Sequence, residues 1–513
     1  MKPFDANGSF APSVPGGGVA LRRLAVRGAG ITIFSGGVGL AIQVIATVVL
    51  ARLLTPRDFG LVTIVTTFSL LLSNCGLNGI TEAVVQRDKL NHGLASNLFW
   101  VNMGSGALLT VAFAGAGSLI ARVFGEPLVA HIAVGMSITI ILSSVSVLHL
   151  ALLKRAMRFS AVNGNDMVAR AVSVIVSILF GWAGWGYWAL VMGACALQLS
   201  TTVGAWALCR WMPGRPREAS GTGTMLAFAL HTYARFSLNY FARNADNLLV
   251  GWRFGAHALG FYKKAYDLFS LSASQLVASP TVVAVSALSR VREEQTQYRR
   301  YLLAAMTVMA FLGMGISGYL TLISKDLIRV LLGPGWDSAA HIFAYFAPGI
   351  GAMILYGTHG WIHLSIGRAD RWLRWGIVEW TVTILLFVAG LPWGPQGIAS
   401  AWSLSYWIMI VPAMWYAGRP IGLGVSPMIH VVWRYLLASL LSVLFSHLII
   451  LRLRSFLSGT GTIGAFQRIA VVSLCFGALY LGAIVLLYRG LSPLKRLVGL
   501  MREMVSVAGS GSE

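Results

Sequence analysis

Charged residues are scarce in this sequence. Asp, Glu, Lys and Arg make up 11% of its 513 residues, against about 25% in a soluble protein of ordinary composition. With 57% hydrophobic residues, no stretch is polar enough for a separate soluble domain. Acidic residues are the scarcer sign, 17 against 39 Lys and Arg. Cysteine is rare too: Cys75, Cys195, Cys209 and Cys475 all lie in apolar runs. No Cys-x-x-Cys or Cys/His spacing occurs, which excludes a zinc module and a disulfide framework. The short alternating segments of an outer-membrane barrel are missing. Met1 to Ala20 has no apolar core, so it reads as a disordered cytoplasmic tail and not as a secretory signal. No paired carboxylates, nucleophile–His arrangement or Gly-rich phosphate loop stands out. An enzyme is therefore not expected, nor is a cofactor or a metal.

What is abundant is apolar sequence in runs of about 20 residues, the length that crosses a bilayer. Fourteen such runs can be counted, from 29–52 to 467–488. The shortest is the fifth, 168–183; the most polar are the seventh, 225–251, and the eighth, 262–289. The fold class is thus an all-α polytopic membrane protein with about fourteen transmembrane helices. A cytoplasmic N-terminus puts 26 of the 39 basic residues in inside segments and 11 outside, with Arg235 and Arg243 within a span. That bias predicts both termini in the cytoplasm. It also accounts for most of the +22 charge as topology, and leaves no basic soluble module for nucleic acid.

The two halves resemble each other. Gly60-Leu61-Val62 answers Gly260-Phe261-Tyr262, and Ala130-His131-Ile132 answers Ala340-His341-Ile342. Leu148-His149-Leu150 is echoed by Ile362-His363-Leu364, and Gly186 by Gly397. A repeat of six spans returns the chain to its starting side, which implies two parallel six-helix lobes. The expected boundaries are a tail (1–27), a first lobe (28–211), a cytoplasmic linker (212–224), a second lobe (225–417), two extra helices (418–488) and a C-terminal tail (489–513). The cavity between lobes is the expected ligand site.

The seventh span breaks the apolar pattern. At 100° per residue His231, Thr232, Arg235, Asn239, Arg243 and Asp246 share an arc of about 120°. An Arg at the centre of a membrane helix costs roughly 2.5–3.5 kcal/mol on insertion scales, so it normally faces protein or a watery cavity. A cationic stripe points to an anionic passenger. Arg243 and Asp246 are also spaced to neutralise each other. The eighth span has a second stripe, Lys263, Asp267, Ser270, Ser274 and Thr281, in which Lys263 and Asp267 are spaced as an ion pair. In the first lobe Gln43, Thr63, Thr67, Asn74 and Asn78 form milder polar faces, suited to helix–helix hydrogen bonds as well as to a ligand. A carboxylate in low dielectric takes up a proton more readily, so Asp246, Asp267 and Glu379 are the candidates for coupling to a proton or sodium gradient. Two tryptophan clusters, Trp182, Trp185 and Trp188 and Trp372, Trp375 and Trp380, read as interfacial anchors.

The segment Ala51-Arg52-Leu53-Leu54-Thr55-Pro56-Arg57-Asp58-Phe59-Gly60-Leu61-Val62 resembles the first outer loop of bacterial polysaccharide-unit flippases of the Wzx type. Asn244-Ala245-Asp246-Asn247-Leu248-Leu249-Val250-Gly251, with Leu259-Gly260-Phe261-Tyr262, resembles their junction between spans seven and eight. Their superfamily also holds multidrug extruders and peptidoglycan-precursor flippases. The resemblance implies alternating access and export of an undecaprenyl-diphosphate-linked oligosaccharide for lipopolysaccharide or exopolysaccharide. It implies a bacterial inner membrane, and a polymerase and a chain-length regulator of the same pathway as partners. On that reading the substrate-binding candidates are Arg235, Arg243, Asn239, His231, Asp246, Lys263, Asp267, Ser270, Gln43, Asn74 and Asn78. Arg suits a diphosphate because its planar fork donates two parallel hydrogen bonds. The rival readings are a lipid II flippase, a multidrug antiporter, and a membrane polysaccharide polymerase or ligase. The Arg stripe disfavours the antiporter, whose cationic substrates call for acidic or aromatic cavity residues. The short outer loops disfavour the polymerase.

Overall fold

Every backbone polar group in a bilayer must find its partner within the chain, and a helix achieves this locally. The computed structural model describes residues 1, 3–5, 7–10, 18–87, 89–216, 222–453, 459, 461–491 and 499. The side chains of 18–35, 75–78, 235, 238, 242, 273–276, 278, 279 and 282 lie outside that description. The helices are α1 (Gly18–Leu53), α2 (Pro56–Gln86), α3 (His92–Phe124), α4 (Leu128–Arg155), α5 (Phe159–Trp182), α6 (Trp188–Leu208) and α7 (Thr222–Arg290). They continue as α8 (Gln295–Leu332), α9 (Asp337–Phe346), α10 (Gly349–Ser365), α11 (Ala369–Gly390), α12 (Gly394–Gly418), α13 (Val425–Arg452) and α14 (Gly461–Tyr488). Among the described residues there are only two isolated β-bridges and no longer strand.

Helical segments stand at all fourteen expected positions, though helix numbers and span numbers part company after α7. That helix is broken at Gly255, whose φ of 78° and ψ of 175° no helix accommodates. Its arms, 222–254 and 256–290, are the seventh and eighth runs, and α9 with α10 is the tenth. Among the described residues ten stretches are long and apolar enough to cross a membrane, or eleven with the α9–α10 pair, bent by 45°. One of the ten, Ala369–Ile421, holds both α11 and α12. Neither arm of α7 is among these stretches.

Local chemistry explains the helix starts. At α2 the Thr55 amide donates to Asp58 Oδ2 at 2.9 Å and the Asp58 amide to Thr55 Oγ1 at 3.3 Å. This is a capping box with Pro56 in the first turn, a feature that stabilises a helix by about 1 kcal/mol. Arg57 then pairs with Glu126, at 2.8 Å, beyond the left-handed Gly125 that ends α3. The motif around Thr55 thus has a structural role.

The chain forms two compact units, Met1–Gly260 and Phe261–Glu513. In the first, α4 packs on α2, α3 and α6, α6 on α5, and α5 on α1. In the second, α10 packs on α8 and α12, and α12 on α11, while α13 and α14 pack on α8. The first unit includes the first arm of α7, beyond the expected linker at 212–224. Of that linker 217–221 lies outside the described residues, as does nearly all of the C-terminal tail from 492 on.

The N-terminal stretch, expected to be a disordered tail to residue 27, has structure where it is described. The helix α1 begins at Gly18. The Phe10 amide donates to the Leu90 carbonyl at 3.1 Å, and Phe4 meets the rings of Phe10, His92 and Trp211. Arg155 lies over the Phe10 ring at 5.0 Å while donating to the carbonyls of Val84 and Arg87 at the end of α2. Two phenylalanines anchor a segment whose average composition is that of a flexible one.

Backbone geometry sets the register of the duplication. Met157 (φ 54°) and Gly367 (φ 71°) occupy the same left-handed position after α4 and α10, 210 residues apart. Gly184 (φ 79°) and Gly394 (φ 73°) follow α5 and α11 at the same offset. At 210, His149 corresponds to His359. The sequence match of His149 with His363 is therefore one helical turn out. A slip of four residues keeps the same helix face, so the apolar pattern alone could not detect it. Nearer the start, Gly60 and Gly260 make reciprocal contacts within the first unit. A Cβ on Gly60 would collide with the Ala256 carbonyl, and one on Gly260 with the Pro56 carbonyl.

Candidate functional site

The first arm of α7 is held against α2. The Tyr233 hydroxyl donates to the Leu71 carbonyl at 3.0 Å, and Gly79 sits against the backbone of Ala229. On this arm the stripe divides. His231, Asn239 and Arg243 are exposed, whereas Asp246 is fully buried. His231 Nδ1 is bonded to the Ala227 carbonyl at 2.7 Å and Thr232 to that of Phe228 at 2.9 Å. Asp246 Oδ1 accepts from the Asn247 amide at 2.7 Å, and Asn247 donates to Asn244 at 3.3 Å. Among the described residues Arg243 has no ion-pair partner, so its expected pairing with Asp246 is not formed. The backbone of Arg235 is helical, and its side chain lies outside the described residues, as do those of Asn78 and Ser274.

Elsewhere in the first unit the milder polar faces are largely used internally. Thr63 donates to the Phe59 carbonyl, Thr67 to Thr63 and Asn74 to Leu70. Gln43 is exposed on α1.

In the second unit Lys263 and Asp267 form the expected ion pair at 2.8 Å, each about a third exposed. Lys263 also lies 5.4 Å from the centre of the Tyr266 ring. Ser270 is half-buried. The Thr281 hydroxyl accepts from Trp361 Nε1 at 2.8 Å and donates to the Val277 carbonyl. Lys264, absent from the sequence stripe, is the buried cation here.

Glu379 acquires a setting that its own stretch of sequence did not reveal. It is hydrogen-bonded to the Tyr356 hydroxyl from α10. The same hydroxyl accepts from Trp375 Nε1 at 2.8 Å. One face of α10 carries Tyr356, His359 and His363, all buried. The rings of Tyr356 and His359 are 4.5 Å apart and those of His359 and His363 5.9 Å. His359 Nδ1 is bonded to the Tyr356 carbonyl at 2.6 Å. His359 Nε2 and both nitrogens of His363 have no partner among the described residues. Arg371 lies over the Tyr416 ring at 4.1 Å and donates to the Tyr416 carbonyl at 2.6 Å. Trp375 is therefore no interfacial anchor. It is 7% exposed, against 80% for Trp182 and 54% for Trp185. Spacing by three and four along α10 was the available signal for this cluster. Among the described residues no group of three or more His, Cys, Asp or Glu could hold a metal ion.

A family profile described as polysaccharide biosynthesis protein matches residues 49–341. The teichuronic acid biosynthesis protein TuaB of Bacillus subtilis is 23% identical over 300 residues, covering 58% of this chain and 62% of TuaB, less than two thirds of that relative. The lipopolysaccharide biosynthesis protein WzxC of Escherichia coli is 20% identical over 415 residues, covering 77% of this chain and 83% of WzxC. Among solved structures the chain is similar to the lipid II flippase MurJ in an inward closed conformation. The TM-score is 0.72 at 15% identity, covering 90% of this chain and 99% of that one. At that identity the likeness is one of fold.

Proposed function

This chain belongs to the polysaccharide biosynthesis protein family, and from that premise we propose that it flips anionic, lipid-linked oligosaccharide repeat units across the bacterial inner membrane. It is a membrane transporter and not an enzyme. The passenger moves from the cytoplasmic to the periplasmic leaflet by alternating access of two parallel lobes. Fourteen spans leave both termini in the cytoplasm, as the basic-residue bias favours. The observation that carries the reading is Arg243, exposed on the first arm of α7 with no ion-pair partner among the described residues. A lone guanidinium is costly in a membrane unless an anion completes it. A diphosphate linking lipid to sugar supplies that anion, and undecaprenyl diphosphate is the carrier this family reading favours. His231 and Asn239, exposed on the same arm, supply donors for phosphate or sugar hydroxyls. Arg235 belongs to the same stripe. Asp246, Asp267 and Glu379 are the groups through which a proton or sodium gradient would drive the cycle. A polymerase and a chain-length regulator act on the delivered unit.

The test is polymer export in a deletion strain complemented with variants. Arg235→Ala/Arg243→Ala is expected to reduce surface polymer at least a hundredfold, with unchanged abundance in the membrane fraction. Wild-type export by the double variant would eliminate this binding site.

A further inference from the structure

We propose that His359 and His363, with water on their unbonded nitrogens, form a proton-uptake path from the C-terminal end of α10 to the Glu379 carboxylate. The proposal deepens the transport reading above and rests on it, because the proposed topology puts that end of α10 in the cytoplasm.

Three imidazole nitrogens on two adjacent rings are buried without a partner among the described residues, although 0% of His363 and 4% of His359 is exposed. Leaving a buried polar group unbonded costs about 1–3 kcal/mol, and such groups are normally satisfied by ordered water. With ring centres 5.9 Å apart, one water can bridge the two imidazoles. Beyond His359, the Tyr356 ring lies 4.5 Å away, and its hydroxyl is bonded to Glu379. These groups succeed one another along α10 and across to α11.

Charged groups of both signs and several tyrosines surround this series. From α11, Asp370 and Arg371 act on His363 with opposite sign, and Glu379 lies at the far end. From α12, Tyr416 flanks His363 and Tyr406 flanks Tyr356. From α8, Tyr298 is bonded to Ser365 at 2.6 Å. Outside the helix, Arg368 is paired with Asp370 at 3.0 Å, and that partner raises its guanidinium above the ordinary value. A hydronium ion arriving at His363 gives up its proton, leaving water and an imidazolium. Transfer of that proton through water to His359 restores neutral His363. Transfer through the Tyr356 hydroxyl to Glu379 restores neutral His359 and turns the carboxylate into a carboxylic acid. One proton enters and one negative charge is neutralised.

The corresponding place in the first unit lacks the series. At the 210 offset, His363 is matched by Leu153, Tyr356 by Ser146 and Glu379 by Ala169. A structural requirement of the repeat would be present in both copies.

The experiment uses the full-length protein, with 15N-labelled histidine, in lipid nanodiscs. Water-to-imidazole magnetisation transfer is measured for wild type, His363→Leu and His359→Gln. Wild type should show transfer to the imidazoles of His359 and His363 in addition to the exposed histidines, with the corresponding resonance lost in each variant. In cells, His363→Leu and Glu379→Gln should each lower polymer export at least tenfold at unchanged membrane abundance. Absence of transfer at both imidazoles overturns the path, as does wild-type export by His363→Leu. The magnetic resonance readout needs no passenger, so its failure is separate from failure of the passenger reading.

Discussion

Helices α4 and α10 are related by the 210-residue offset at which Met157 and Gly367 recur, yet they bury different chemistry. In α4, His149 stacks on Trp206 with ring centres 4.2 Å apart and is bonded through Nε2 to the Trp211 carbonyl at 3.2 Å. Phe99 and Trp211 close the aromatic surround. In α10 the matching His359 faces a tyrosine, a second histidine and, through that tyrosine, a carboxylate. Trp206 is matched by Tyr416, whose ring stacks on Trp375 and leaves His363 at its edge. The first copy uses its histidine as an aromatic packing element. The second has spread polar groups along a helix face. Backbone positions recur at this offset while the buried side chains differ, because packing constrains volume and apolarity more than the identity of a bonded polar group.

The largest test of this contrast is Trp361→Ala, which gives α10 the residue that α4 has at Ala151. Both are buried, at 1% and 0% exposure, so the two copies fill the same place with very different volumes. A loss of about 3–5 kcal/mol is expected for a buried Trp, read by denaturation in mild detergent. A cost below about 1 kcal/mol would mean that the site collapses and that the copies pack alike.

The glycine contact probes what the copies share. Gly60→Ala and Gly260→Ala each push a methyl group into a carbonyl, with an expected cost of about 3 kcal/mol. The two costs should match. A large inequality would show that the reciprocal contact is symmetric in form only.

Tyr356→Phe is next. It removes the hydroxyl that accepts from Trp375 Nε1 and strands a buried donor, at about 1–3 kcal/mol. Its counterpart, Ser146→Ala, removes only a bond to the Ser143 carbonyl within α4 and should cost less. Equal costs would deny the polar series any cohesion of its own.

The smallest effect is expected for His149→Phe. The ring stack on Trp206 remains, and the loss is the single bond to the Trp211 carbonyl, about 0.5–1.5 kcal/mol. Export should persist with this variant at the wild-type rate. Loss of export with normal folding would show that the first copy shares the transport role assigned here to the second.

Much of the helix pattern was legible in the residues. Runs of about 20 apolar residues leave few alternatives to membrane helices, and helical segments stand at each expected position. The Lys263–Asp267 pair was legible too, since a spacing of four places both groups on one face. Trp375 was not: a Trp near charged residues looks like an interfacial anchor until the helix on which it packs is known. Nor was the division of the α7 stripe. Spacing puts Asp246 and Arg243 on one side of the arm, but only neighbouring helices decide that one is buried and the other exposed.

By itself, then, the sequence determined the membrane class, the helices, the recurrence of short motifs between its halves and the cationic stripe. Each of these rests on composition or on local periodicity, which a chain carries without reference to its fold. The tertiary structure alone decided the 210-residue offset of the left-handed positions, the burial of Asp246, and the meeting of Glu379 with Tyr356 beside His359 and His363. Those depend on which helix faces which, and a helix face repeats every turn. Periodicity can therefore name the face of α10 but not the partner that α11 brings to it.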